Sequence, residues 1–134
     1  QAMISGQWRY ESANTLLWAL QLVDELAPPT ESTRVSNMVR ILSSKSPAEF
    51  RAEARLRSPV EILDAADLAY RNNGVLGLAA HSHDDHDDDH DHSHSDIAVV
   101  DSVIYERDYA LKWLIRYKDL EWDELIADSN ESAK

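Results

Sequence analysis

The chain has 134 residues, one domain's worth, with 43% hydrophobic and 28% charged side chains and a formal net charge of −12. That charge excludes non-specific nucleic-acid binding, which needs clustered cations. The absence of cysteine excludes disulfides, thiolate metal sites and thiol catalysis; three glycines leave no glycine-rich phosphate loop, and no apolar run approaches the roughly 20 residues of a membrane span.

Scarce proline and glycine among many Ala, Leu, Glu and Arg residues predict helix throughout. The first helix is expected from about Ser5 to Leu26, with Trp8, Leu16, Ala19, Leu22, Val23 and Leu26 on one face, ending at Pro28-Pro29. A second is expected from Thr33 to Leu42. Ser46-Pro47-Ala48-Glu49 and Ser58-Pro59-Val60-Glu61 then repeat one start signal: a serine N-cap, proline in the first position and glutamate in the third. Helices should begin near Pro47 and Pro59, the latter running to Arg71 and stopping at Asn72-Asn73-Gly74. Ile97–Val100 reads either as a short strand or as a return to the surface. A last strong helix spans Ser102 to Tyr117, capped by Asp101 or Ser102, with a further turn around Trp122.

Between these elements lies a low-complexity stretch, residues 81–96. It holds all six histidines and seven of the 25 acids, and so more than half of the net charge. It reads as a projecting loop that cannot bury itself. His81, His83, His86, His90, His92 and His94 are candidate ligands for zinc, nickel or copper, because imidazole with carboxylate is the donor set those ions take when thiolates are absent. No cofactor is required by this reading. Asp85, Asp87, Asp89, Asp91 and Asp96 also match the acidic spacing of a calcium loop, but His90 stands where that loop needs glycine and Asp96 where it needs glutamate. The alternative to any metal role is a solvated insertion.

Several stretches occur in an order that resembles the bacterial family called domain of unknown function 4272. They are Trp8-Arg9-Tyr10-Glu11, Leu17-Trp18-Ala19-Leu20, Arg57-Ser58-Pro59 with Glu61-Ile62-Leu63-Asp64, Tyr105-Glu106-Arg107 with Tyr109-Ala110-Leu111 and Trp113-Leu114, and Trp122-Asp123. The resemblance implies a helical bacterial cytoplasmic domain and no particular activity. Family members carry a further region ahead of the first of these elements, which implies that this chain is a truncated piece or a short member. Asp108 and Lys112 stand where the family pattern has histidine and asparagine, so no role is carried over from that histidine.

Two helices carry charge on apolar faces. Arg107 falls inside the stripe formed by Val103, Ala110 and Leu114, with Glu106 between Trp113 and Tyr117. Glu11 lies between Trp18 and Leu22, and Arg9 between Leu16 and Leu20. A buried cation needs partners, so a Glu11–Arg107 ion pair fixing helix register is expected. The functional alternative is a charged ligand pocket lined by Arg9, Glu11, Glu106 and Arg107 with Tyr10, Tyr105 and Tyr109. Asp67 and Arg71 read as a solvated pair four residues apart.

The reading is therefore an all-α single domain over residues 1–134, a compact bundle of five to six helices with one His/Asp-rich projecting loop. Its expected role is a non-enzymatic protein-interaction module with an accessory divalent-metal loop. Its partner would be another protein or a second copy, with neither nucleic acid nor membrane involved. The alternative is a small-ligand-binding domain or an enzyme built around Arg107, the latter needing acids about 5–9 Å apart.

Overall fold

Ser46 and Ser58 start helices as their spacing predicts: their hydroxyls accept the Glu49 and Glu61 backbone N–H groups at 3.2 and 3.3 Å. The computed structural model describes the backbone of residues 2–82 and 93–125, and side chains over 9–75 and 100–125. Within those residues there are five α-helices and no strand: α1 (Ala2–Ala19), α2 (Val35–Ser43), α3 (Pro47–Glu53), α4 (Pro59–Ser82) and α5 (Ser93–Leu114), followed by a 3-10 turn at Tyr117–Asp119. None of the helices is long and apolar enough to cross a membrane, among the described residues.

Helix α5 packs against both α1 and α4. The core between them joins Trp18 and Ala19 of α1, Ile62, Ala66 and Ala69 of α4, and Leu111 of α5. The small residues of α4 let the helices approach closely, and truncating a large buried member such as Leu111 to alanine should cost about 2–5 kcal/mol. Being enclosed on several sides, α5 buries Val103, Ile104 and every residue from Glu106 to Leu111. The last described turn returns to it through the Tyr109 hydroxyl, which donates to the Trp122 carbonyl, and through edge-on packing of Trp122 against Tyr109 and Trp113.

The expected boundaries of three helices move. Helix α1 stops at Ala19, well before Pro28, because Gln21 takes a left-handed conformation (φ 62°). Gln21 N–H then donates to Trp18 O and Leu22 N–H to Leu17 O, both at 3.0 Å, the paired bonds that close a helix by a Schellman turn. Helix α4 continues through Asn72-Asn73-Gly74 to Ser82: Asn73 donates to the buried Asp108 carboxylate at 3.0 Å, an interaction available only if the helix goes on. Helix α5 begins at Ser93 rather than Ser102, so Ile97–Val100 is helical, and it ends at Leu114 rather than Tyr117. The projecting loop expected over 81–96 therefore has helical backbone at 81–82 and 93–96, and its remainder, 83–92, lies outside the described residues.

Candidate functional site

The buried face of α1 is not the apolar stripe that periodicity suggests. It carries Glu11, Ser12 and Thr15, each almost fully buried, and α5 buries Glu106, Arg107 and Asp108 in turn. Each of these groups has a specific environment. Ser12 Oγ lies 2.6 Å from Glu106 Oε2 and 2.9 Å from the Glu106 carbonyl, while Thr15 donates to the Glu11 carbonyl at 2.9 Å. Asp108 accepts from Asn73 and pairs with Lys112 at 3.0 Å.

Arg9 and Glu106, two of the four pocket candidates, lie close together. Arg9 Nη1 is 3.7 Å from Glu106 Oε2, and the guanidinium lies 4.6 Å from the centre of the Tyr109 ring. Burial raises the Tyr109 pKa above its usual value; the Arg9 hydrogen bond and charge pull it down, and Tyr105 and Asp123 push it up. Tyr105 itself is exposed, with its ring 6.3 Å from that of Tyr109. The Tyr10 pKa is likewise raised by burial and by the Glu11 charge, with a Ser32 hydrogen bond opposing.

Glu11 and Arg107 do not form the expected ion pair. The Glu11 carboxylate instead accepts from Thr33, from the backbone N–H at 2.5 Å and from the hydroxyl at 2.8 Å. Arg107 Nη2 donates to the Ala27 carbonyl at 2.6 Å, and its buried Nε has no hydrogen-bond partner among the described residues. Arg107 is only 9% exposed, and among the described residues no carboxylate lies within ion-pair distance of it. Burial lowers its pKa, and the Glu11 charge acting through space partly restores it. A guanidinium stays protonated under ordinary conditions, so this is a buried and poorly compensated cation.

Both charges fasten the same stretch of chain. Residues 20–34, with Pro28 and Pro29 at their centre, form a strap laid over the helices. Glu11 holds it at Thr33 and Arg107 at Ala27. Arg57, which carried no assigned role in the sequence reading, holds its start: Nε donates to Trp18 O at 2.6 Å, and Nη2 to Val23 O and Asp24 O, each at 2.9 Å. The same guanidinium lies over the Trp18 ring and salt-bridges Glu61 at 3.3 Å. Side-chain patterning offers no sign of these attachments, because every partner on the strap side is backbone or a loop threonine.

Under the strap is a cavity of about 450 Å³ bounded by Glu25–Pro29, by Ala65, Leu68, Ala69 and Asn72 of α4, and by Ile104, Arg107 and Leu111 of α5. That volume is within the range of small-molecule sites. Of the four candidate pocket residues, Arg107 lines this cavity; Arg9, Glu11 and Glu106 do not. The Asp67–Arg71 pair is present at 3.0 Å with both side chains solvated. No three metal-binding side chains cluster among the described residues, and the side chains of the six histidines lie outside them.

The family model described as Domain of unknown function (DUF4272) matches residues 1–125. The chain belongs to the DUF4272 family. No curated protein and no solved structure matches it. The match spans the strap, the cavity wall and the α1–α5 interface, so the geometry above belongs to the DUF4272 domain itself.

Proposed function

We propose that this DUF4272 domain is a small-ligand-binding domain without catalytic chemistry, and that its site is the cavity walled by Arg107. The observation that carries the reading is a buried guanidinium with no carboxylate in ion-pair range among the described residues, set in a mostly apolar wall. A desolvated cation of this kind is unfavourable unless something anionic completes its surroundings. Among the described residues the wall offers one acid, one amide and one guanidinium, and no nucleophile, which supports binding over catalysis. The experiment is an NMR titration with small carboxylates, sulfonates and phosphate monoesters. The backbone amides of Leu26, Ala27, Asn72 and Arg107 should shift with at least one member. If none of the panel moves them, the reading is wrong.

A second reading, a protein-interaction module, is favoured by α2. That helix buries no residue and leaves Val35, Val39 and Leu42 exposed on one side. An accessory metal role for His81, His83, His86, His90, His92 and His94 also belongs to the proposal, with zinc, nickel or copper bound by imidazole and carboxylate. A bacterial cytoplasmic setting rests on the family resemblance alone.

A further inference from the structure

We propose that the Arg107 cavity selects a monocarboxylate carrying an apolar body, with Arg107 and Asn72 holding the carboxylate and the proline-bearing strap covering the tail. The inference rests on the reading of this cavity as an anion site and names the class of anion.

Charge limits the head group. Among the described residues, Arg107 is the one base in the cavity wall and Glu25 the one acid. A single negative charge neutralises the guanidinium, whereas a dianion leaves an excess negative charge repelled by Glu25.

Hydrogen-bond geometry points the same way. A guanidinium has five N–H donors in a planar fork suited to the two oxygens of a carboxylate, and Arg107 spends one of its Nη2 donors on Ala27. Asn72 lines the same cavity from α4; its half-buried side-chain amide makes no hydrogen bond among the described residues. It supplies a neutral second donor, which a carboxylate uses without adding charge.

The rest of the wall sets the tail. Leu26, Pro28, Ala65, Ile104 and Leu111 are apolar, and Leu68 stands 60% exposed at the same cavity, where an apolar ligand would cover it. The strap is part of the site because Ala27 both accepts from Arg107 and lines the cavity. A carboxylate reaching Arg107 competes with the Ala27 carbonyl, so binding shifts the strap.

The test is calorimetric titration of the full chain with octanoate, acetate, octanol and octyl phosphate, with amide shifts recorded in parallel. Octanoate is expected to bind at least about tenfold more tightly than each of the other three. It should move the amides of Leu26, Ala27 and Asn72. Arg107→Met removes the preference for octanoate over octanol, Asn72→Leu weakens octanoate several-fold with octanol unchanged, and Ala65→Trp fills the cavity and abolishes both. Asn72→Leu and Ala65→Trp keep the guanidinium, so they decide the matter should Arg107→Met fail to fold. Octyl phosphate binding as tightly as octanoate, and through Arg107, overturns the ligand class and leaves an anion site standing. Octanol binding as tightly as octanoate, or shifts confined to residues outside the cavity, overturns both.

Discussion

Arg107 and Glu11 are both charged, both buried and on facing helices, and each is bonded to the strap rather than to the other. The sequence placed them on the right faces but could not give their partners, since a backbone carbonyl looks the same after every residue. Gln21 shows a similar limit. Its left-handed turn is normally a glycine position, and nothing in Leu20-Gln21-Leu22 announces it. Its side chain is exposed and makes one long bond, 3.4 Å, to Leu56 O. Gln21→Gly should therefore stabilise the fold by about 1 kcal/mol, read as a higher denaturation midpoint with unchanged slope. A lower midpoint would show that the glutamine side chain outweighs the backbone strain. Tyr109 gives a pH prediction. Its folded-state pKa is raised, so its contribution is fully present below the unfolded value near about 10 and is lost as pH rises through the folded value. Tyr109→Phe should cost about 1 kcal/mol at neutral pH through the lost bond to Trp122 O, and should flatten the alkaline fall in stability. An unchanged alkaline slope would exclude Tyr109 as its source.

At the scale of elements, what was legible is what local chemistry writes down. The two serine–proline starts fix α3 and α4 because cap, proline and glutamate act within four residues. Helix ends were harder. Asn72-Asn73-Gly74 reads as a stop, yet the penalty for a glycine inside a helix is about 1 kcal/mol, which long-range bonds such as Asn73–Asp108 can offset. The C-terminus of α1 depends on Arg57, thirty-eight residues beyond Ala19 in the chain, whose backbone N–H reaches the Ala19 carbonyl at 2.8 Å while its side chain takes Trp18 O. A cation on the last carbonyls of a helix is well placed with respect to the helix dipole. Arg57→Ala should cost about 2–4 kcal/mol, since three carbonyls lose a charged donor together, and Arg57→Lys should recover only part. Hydrogen exchange should then quicken first in residues 20–27. A loss below about 0.5 kcal/mol would mean that water replaces the guanidinium without penalty.

Over the whole molecule, charge is segregated. The His/Asp-rich stretch carries more than half of the net charge, while the described core is organised around a few individually placed ions. The two can be tested separately. Zinc titration should show binding that weakens as pH falls through about 6.5, where protons compete for imidazole, and that disappears when all six histidines become alanine. Equal zinc affinity in that variant would remove the histidine assignment and leave the Arg107 site untouched. The central claim is that the Arg107 guanidinium, beyond its one tie to the strap, serves a ligand. It makes one hydrogen bond, leaves Nε without a partner and has no carboxylate in ion-pair range among the described residues, while Glu11 is already satisfied by Thr33. The most direct measurement is denaturant unfolding of wild type and Arg107→Met, each with and without octanoate. Without octanoate the two should differ by less than about 1 kcal/mol, because removing a poorly compensated buried charge relieves a desolvation penalty. With octanoate only the wild type should gain stability, as a ligand specific to the folded state requires. A variant that loses more than about 3 kcal/mol without ligand, beside a wild type indifferent to octanoate, would make Arg107 a structural ion and contradict the account.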